Sequence, residues 1–136
     1  MTGQGFSRRD FVKGAVLGSV VAAMFVPAVS EARADGDPAR GEQRYEDCIA
    51  CHPIEPGVHG IGPSLYGIVG RKAGEVAEYR YSGPLKRSGL TWTLEALDTF
   101  IADPQASVPA NRMPYAGMAD ARDRADLIAY LQKVSK

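Results

Sequence analysis

The charge of this chain of 136 residues excludes one class of protein, and its length suits a small one. Its 16 basic and 16 acidic side chains leave a formal net charge of zero at pH 7, which excludes a nucleic-acid binder, because such proteins need an excess of basic groups facing phosphate. No internal repeat, low-complexity tract or second domain follows residue 34, so the remainder suits one compact domain.

Residues 1–34 are predicted to be an export signal. Arg8 and Arg9 precede a mildly apolar, glycine-containing run at residues 14–29, and the Ala-Arg-Ala sequence at residues 32–34 is a small-x-small pattern that signal peptidase accepts. The two arginines also resemble a twin-arginine export signal. The preferred interpretation is that they are the ordinary positive charges of a general secretory signal, while export together with a folded partner is the alternative, so the export route stays open.

Cleavage after Ala34 would set the size and charge of the mature protein. It would leave 102 residues, a domain whose small apolar core a buried cofactor would enlarge. Twelve basic and 14 acidic residues would remain, a net charge of about −2. An uncleaved anchor is the alternative, but the apolar run reaches Pro27 after about 13 residues, roughly 20 Å of helix against roughly 30 Å of hydrocarbon. No stable membrane span is therefore expected.

A helix followed by a cysteine motif opens the predicted domain at residues 35–136. Asp37 and then Pro38 form the pattern of an N-cap and first helical residue, and the helix is predicted to run to about Cys48. The sequence from Cys48 reads Cys-Ile-Ala-Cys-His, which is the attachment signature of a c-type haem. Cys48 and Cys51 can each form a thioether to one vinyl group, and His52 then supplies the proximal iron ligand.

Three other uses of these cysteines fit the sequence less well. A redox dithiol needs no histidine directly after it and usually lies in a strand-helix unit, which this sequence does not predict. A zinc site needs about four ligands, and only Cys48, Cys51, His52 and His59 are available, without a second pair at finger spacing. A disulfide would close too small a loop to add much stability. We therefore expect one covalent haem c.

The middle of the chain is rich in turns. Gly-Ile-Gly-Pro at residues 60–63 and Val-Gly-Arg at residues 69–71 are turn-forming, and Ser-Gly-Pro at residues 82–84 can open a short helix. Few runs alternate between apolar and polar residues over the length of a strand. The composition of this segment favours loops that wrap around a cofactor.

Two further helices are predicted in the last third of the chain. Thr93 can cap the first of them, which has apolar residues at helical spacing and stops at Pro104. Asp120 can cap the second, which glycine and proline do not interrupt. Its apolar stripe consists of Leu127, Ile128, Leu131 and Val134. Three sizeable helices and almost no strand signal predict an all-α fold.

Beyond the haem motif, a specific set of residues is distributed in a fixed order along almost the whole predicted domain. The set comprises residues 62–67 (Gly-Pro-Ser-Leu-Tyr-Gly), residues 70–74 (Gly-Arg-Lys-Ala-Gly), Tyr81, Trp92, Pro104, Met113 and residues 126–131 (Asp-Leu-Ile-Ala-Tyr-Leu). With these residues the chain resembles class I cytochromes c of the mitochondrial and α-proteobacterial type. The resemblance implies the cytochrome c fold, in which three main helices, short helices and loops wrap around one covalently bound haem.

The resemblance also implies roles for the residues around the haem. In the family, the carbonyl at the position of Pro63 accepts a hydrogen bond from the proximal imidazole, which would orient His52 and tune the iron. Further residues are expected to contact the haem propionates, namely Arg71, Tyr81, Trp92 and Asn111.

Met113 is predicted to be the sixth iron ligand. Met1 and Met24 lie in the predicted signal, which leaves Met113 and Met118. Residues 111–115, Asn-Arg-Met-Pro-Tyr, match the methionine-ligand loop of the family position for position, so Met113 is preferred. Met118 is interpreted as an apolar side chain that fills space near the haem.

Three other conspicuous side chains are expected to be structural. His59 could give a low-potential bis-histidine haem, but it matches a family histidine that bridges loops by hydrogen bonds. Tyr45 and Tyr130 match the family's contact between the first and last helices, where Gly41 would allow close approach. Neither tyrosine is assigned any chemistry.

Several positions depart from the mitochondrial pattern. Phe100 stands where many members have a tyrosine whose hydroxyl lies near the methionine sulfur, so one hydrogen bond that tunes the iron is missing. Ala110 replaces a common glycine, and Arg112 replaces a lysine. The basic rim around the haem edge is correspondingly thin, with four candidates: Lys72, Lys86, Arg87 and Arg112.

The predicted function is electron transfer in the periplasm by a monomeric, single-haem carrier that is not itself an enzyme. Its partners would be redox proteins: membrane respiratory or photosynthetic complexes, dehydrogenases or an oxidase. One alternative is a dedicated cytochrome subunit of a larger periplasmic oxidoreductase. The other is a gas-binding or peroxidatic haem protein, against which the predicted methionine ligand argues because it occupies the distal site.

Overall fold

The computed structural model describes residues 35–134, so the predicted export signal lies outside the described residues. Five helices occur in this range: α1 (Pro38–Ile49), α2 (Gly83–Arg87), α3 (Leu94–Ala102), α4 (Pro104–Ser107) and α5 (Ala121–Val134). Extended pairing within residues 35–134 is limited to one isolated bridge between Lys72 and Thr91. The all-α prediction is confirmed.

Side-chain caps begin the helices where the sequence predicts them. The Asp37 carboxylate accepts a hydrogen bond from Ala39 N at 2.8 Å, and the Thr93 hydroxyl accepts one from Ala96 N at 3.2 Å. Asp120 accepts backbone N–H bonds at the start of α5. Each cap satisfies a donor that the first helical turn leaves without an intrahelical partner.

Pro104 both ends one helix and begins another. α3 stops at Ala102, as predicted, and α4 starts at Pro104 because proline is well suited to the first position of a helix. The Asp103 carboxylate caps α4 by accepting from Gln105 N at 3.1 Å and Ala106 N at 2.9 Å. The segment after α4 then returns to the end of α3, where Met118 N donates to the Ile101 carbonyl at 2.9 Å.

Close packing of α1 on α5 joins the two ends of the domain. A Cβ atom at Gly41 would overlap the Asp126 carbonyl oxygen, so only glycine permits this approach. The rings of Tyr45 and Tyr130 pack with their centroids 5.5 Å apart. The predicted packing role of both tyrosines is confirmed.

A buried carboxylate fastens the start of α1 to α5. Asp126 is 1% exposed, and its oxygens accept from Asp37 N at 2.6 Å and from Arg40 Nε and Nη2 at 2.6 and 2.8 Å. These hydrogen bonds, chiefly those from Arg40, hold the pKa of Asp126 below its usual range. The carboxylate is thus kept charged inside the helix interface.

Replacing Asp126 with asparagine is expected to change how stability depends on pH. A depressed carboxyl pKa contributes stability that is present above the unfolded-state value of about 3.9 and is lost as pH falls through the folded-state value. Asp126→Asn should therefore have a lower free energy of unfolding than the natural protein at neutral pH. This difference between the two proteins should become smaller below about pH 4. Urea unfolding across this range measures it, with the exposed α1 change Glu46→Gln as control. A difference in free energy of unfolding that did not change with pH would contradict the prediction.

The buried apolar core surrounds the region where the loops converge. α3 contributes Leu97, Phe100 and Ile101, and α5 contributes Leu127 and Leu131, each 9% exposed or less. These side chains face the loops of the turn-rich middle. Within residues 35–134, none of the helices combines the length and apolar character needed to cross a bilayer.

Candidate haem site

A cavity of about 240 Å³ opens where the cysteine motif, the middle loops and helices α3 and α5 meet. All nine site residues predicted from the sequence line it: Cys48, Cys51, His52, Pro63, Arg71, Tyr81, Trp92, Asn111 and Met113. Apolar side chains of the core supply much of the remaining wall. Residues separated by up to 65 positions in the sequence thus share one enclosure.

The last turn of α1 presents the cysteine motif to this cavity. The helix continues through Cys48, and the Cys51 and His52 backbone N–H groups both donate to the Cys48 carbonyl, at 3.0 and 2.9 Å. Both thiols are free rather than joined in a disulfide. Burial raises the pKa of Cys48 to about 11, so its thiol is neutral at pH 7 in the polypeptide alone.

The His52 imidazole is held by one specific hydrogen bond. Its Nδ1 lies 2.8 Å from the Pro63 carbonyl oxygen, and because a carbonyl can only accept, Nδ1 must carry the proton. Burial lowers the pKa of His52, so the ring is neutral at pH 7 and Nε2 retains a lone pair for a metal. A Cβ at Gly62 would overlap the ring, so this glycine makes room for the imidazole.

The loop after α4 supplies the methionine. Met113 is half-buried and lines the cavity. Met118 is instead 7% exposed within the core and does not belong to the cavity wall. The difference agrees with the interpretation of Met118 as a packing residue, and Met113 as an iron ligand stays a prediction.

Arg71 has a buried donor without an acceptor. Its Nη1 and Nη2 donate to the Tyr66 and Ser64 carbonyl oxygens at 3.0 and 2.9 Å, which fixes the guanidinium plane. Within residues 35–134, Arg71 Nε is buried and has no hydrogen-bond partner. An unsatisfied cationic donor is costly, so this side chain is suited to an anionic acceptor inside the cavity, such as a haem propionate.

Aromatic side chains form the wall next to Arg71. Trp92 is 6% exposed and contacts the Phe100 ring edge-on, with centroids 5.0 Å apart. Tyr81 packs edge-on against Tyr79 at 4.8 Å, and burial raises the pKa of its hydroxyl. These contacts position Trp92 and Tyr81 along the cavity, where their haem contacts stay predictions.

His59 lies outside the cavity wall and bridges loops. Its Nδ1 accepts a hydrogen bond from Ser64 N at 3.1 Å, and its ring packs against Tyr79 at 5.9 Å. The structural role expected for His59 agrees with this arrangement. Tyr79 and Arg80, which also line the cavity, were missed by the sequence reasoning, because no local pattern distinguishes them from ordinary loop residues.

The residues present fit a covalent haem. The cavity is apolar, its wall carries two thiols at haem-attachment spacing, and it holds a neutral imidazole and a thioether sulfur. The unpartnered Arg71 Nε matches a carboxylate on the rim of a macrocycle. Fold and cavity together define the class: a c-type haem protein.

Comparison with known proteins gives the same class. The cytochrome c family model matches residues 38–135. Cytochrome c2 iso-2 from Magnetospirillum fulvum is 45% identical over 101 residues, which cover 74% of this chain and 100% of that protein. Cytochrome c2 from Blastochloris viridis is 41% identical over 115 residues, covering 84% of this chain and 87% of that protein.

A solved structure shares the fold as well. Cytochrome cH from Methylobacterium extorquens superposes with a TM-score of 0.69 at 44% identity, covering 72% of this chain and 99% of that chain. The chain therefore belongs to the cytochrome c family. It is an electron carrier rather than an enzyme and carries one covalently bound haem c, for which Cys48 and Cys51 provide the attachment motif.

Proposed function

We propose that this protein carries single electrons with His52 and Met113 as the axial ligands and with Cys48 and Cys51 as the thioether attachments. The observation that carries the proposal is the convergence of these four side chains on one cavity. When bound, the haem supplies an iron that alternates between the ferric and ferrous states. With His52 and Met113 both holding the iron, small molecules would find no open site at the metal, which argues against gas binding or peroxidatic activity.

The surroundings are suited to a positive reduction potential. An apolar wall disfavours the extra charge of the ferric centre, and methionine ligation raises the potential relative to two histidines. The hydrogen bond from His52 Nδ1 to Pro63 orients the proximal ring and adjusts its basicity. Arg71, Tyr81 and Trp92 would hold the propionates. Phe100 lacks a hydroxyl, so this part of the wall makes no hydrogen bond to the methionine sulfur.

The mouth of the cavity is the proposed point of contact with redox partners. Five exposed residues line the cavity at this mouth: Asp47, Ile61, Arg80, Arg112 and Pro114. Of the four basic residues predicted from the sequence, Arg112 alone is among them, and it donates to the Arg80 carbonyl at 2.7 Å. We therefore infer that Arg80 and Arg112, rather than Lys72, Lys86 and Arg87, carry the local positive charge.

Charge reversal at Arg112 is expected to slow electron transfer to a membrane oxidase. Arg112→Glu should lower the second-order rate constant about 3- to 10-fold at low ionic strength, and the difference should shrink as salt screens the charges. Stopped-flow oxidation by oxidase-containing membranes measures this. Lys133→Glu, an exposed change on α5 away from the cavity, is the matched control.

The competing role is that of a dedicated subunit of a larger periplasmic oxidoreductase. It would keep every haem-site residue described above, so site geometry does not discriminate it from a free carrier. The subunit role would be favoured if the rate constant of oxidation by the oxidase did not change with ionic strength and if activity were found only in a stable complex with one dehydrogenase.

We also propose that residues 1–34 direct the chain to the periplasm and are removed there. Support comes from the sequence, in which a signal-peptidase pattern ends at Ala34. Intact-mass measurement of the purified protein should give a chain starting at or near Asp35 plus one haem. A mass that includes residues 1–34 would indicate a tethered carrier instead.

A further inference from the structure

The loop that carries Met113 is fastened at both ends. At its start, Val108 N donates to the Pro104 carbonyl at 3.0 Å, and at its end, Met118 N donates to the Ile101 carbonyl at 2.9 Å. Both acceptors lie in or beside the helix pair α3 and α4. The intervening residues include Ala110, whose φ of 61° is in the left-handed region that a non-glycine residue rarely adopts. The two backbone hydrogen bonds thus hold the loop in one specific conformation, even though that conformation includes an unfavourable φ at Ala110.

Asn111 uses its whole amide to maintain that path. The side chain is buried, and its Nδ2 donates to the Pro104 and Val108 carbonyl oxygens at 2.7 and 2.9 Å. Its Oδ1 accepts from the Met113 backbone N–H at 2.8 Å. An asparagine amide has two N–H donors, so none is left for a haem propionate. The family resemblance predicts a propionate contact for Asn111, but its hydrogen bonds lead to Met113.

Gln105 secures the same loop from α4. Its Nε2 donates to the Asn111 carbonyl at 3.2 Å and to the Met113 carbonyl at 3.4 Å. Because the backbone of Gln105 is itself capped by Asp103, the side chain projects from a fixed helix turn. Met113 is therefore held through its N–H by Asn111 and through its carbonyl by Gln105.

We propose that Asn111 and Gln105 are positioning residues that keep the Met113 sulfur on the iron against competing ligands. The inference rests on the proposed axial role of Met113. Loss of their hydrogen bonds would let the loop swing away without unfolding the domain, because the anchors at Val108 and Met118 are backbone bonds that would remain. The outcome would be easier displacement of Met113 by an external ligand.

Imidazole titration of the ferric holoprotein tests this proposal directly. Imidazole can bind iron only after Met113 leaves, so its apparent affinity reports how firmly the loop holds the sulfur. Binding is monitored through the loss of the long-wavelength sulfur-to-iron absorption band. Gln105→Glu removes the two donors with little change in shape, and Asn111→Leu removes all three side-chain bonds of the amide.

We expect imidazole affinity to rise about 3- to 10-fold in Gln105→Glu and about 10- to 100-fold in Asn111→Leu, in proportion to the bonds lost. Gln132→Glu, the same chemical change on the exposed surface of α5, should leave affinity unchanged. Met118→Ala, which loosens the core and leaves the Asn111 and Gln105 bonds intact, should also leave it within about twofold. Met118→Ala therefore shows whether imidazole affinity depends on the Asn111 and Gln105 hydrogen bonds or on the stability of the whole domain.

The outcomes distinguish this inference from the proposed function. If Met113→Ala binds imidazole much more tightly but Gln105→Glu and Asn111→Leu match the natural protein, Met113 is the ligand and the positioning role is wrong. If Met113→Ala leaves imidazole affinity unchanged, the axial assignment itself is wrong. Should Asn111→Leu fail to fold, Gln105→Glu alone decides, since its side chain lies partly at the surface.

Discussion

A chain with both Cys48→Ala and Cys51→Ala is expected to carry no covalent haem and to be largely unfolded. The core side chains of α3 and α5 face the cavity, so without the cofactor their apolar surfaces would be left open to water. The apolar core that remains is small, and a domain of this size has a total stability of only about 5–15 kcal/mol to lose. Far-UV circular dichroism and haem staining of denaturing gels measure the two effects.

The control for this variant lies within the same motif. Ile49 is 58% exposed between the two cysteines, so Ile49→Ala should retain the haem and a folded domain. A double cysteine variant that folded cooperatively without haem would contradict the view that the cofactor completes the core.

Replacing Met113 with alanine is expected to abolish the long-wavelength absorption band of the ferric protein and to lower its reduction potential. Such a band arises from a bond between a methionine sulfur and ferric iron, and loss of the thioether would remove the proposed ligand that favours the ferrous state. The fold should survive, because Met113 is half-buried on the cavity wall rather than central to the helix packing. Visible spectroscopy measures the absorption band, and redox titration measures the reduction potential. Both are applied to Met113→Ala and Met118→Ala.

Met118→Ala should give the opposite pattern. Its side chain is 7% exposed in the core, so truncation should lower the free energy of unfolding by about 2–5 kcal/mol while the band and the potential persist. If Met118→Ala lost the band and Met113→Ala kept it, the assignment of the distal ligand would be reversed.

Much of the helical framework could be predicted from the sequence, because the signals involved are local. Asp37, Thr93 and Asp120 each cap a helix through backbone N–H groups two or three residues away, so the pattern and the structure are separated by a single turn. The haem motif is equally local, since one helix end places two cysteines and a histidine side by side. Such features depend on backbone geometry that a short sequence window already determines.

The remaining features of the site depend on contacts between distant segments, which no window of sequence contains. Asp47 of α1 and the loop residues Ile61 and Arg80 line the same cavity although they lie far apart in the sequence. The buried charge of Asp126 is explained chiefly by Arg40, which lies 86 residues earlier. Family resemblance indicated which residues surround the haem, but hydrogen-bond partners depend on the exact path of the chain.

Asn111 illustrates the difference between the two kinds of information. Its position two residues before Met113 in the sequence, and the family loop it matches, predicted a residue at the haem. The tertiary structure decided what its amide does, because α4 brings the Pro104 and Val108 carbonyls within reach of both N–H donors. The sequence by itself determined the helix starts, the haem attachment motif and the candidate ligands, through short-range geometry. Only the packed fold decided which donors remain available to the cofactor, because a buried polar group bonds to whatever the surrounding chain places beside it.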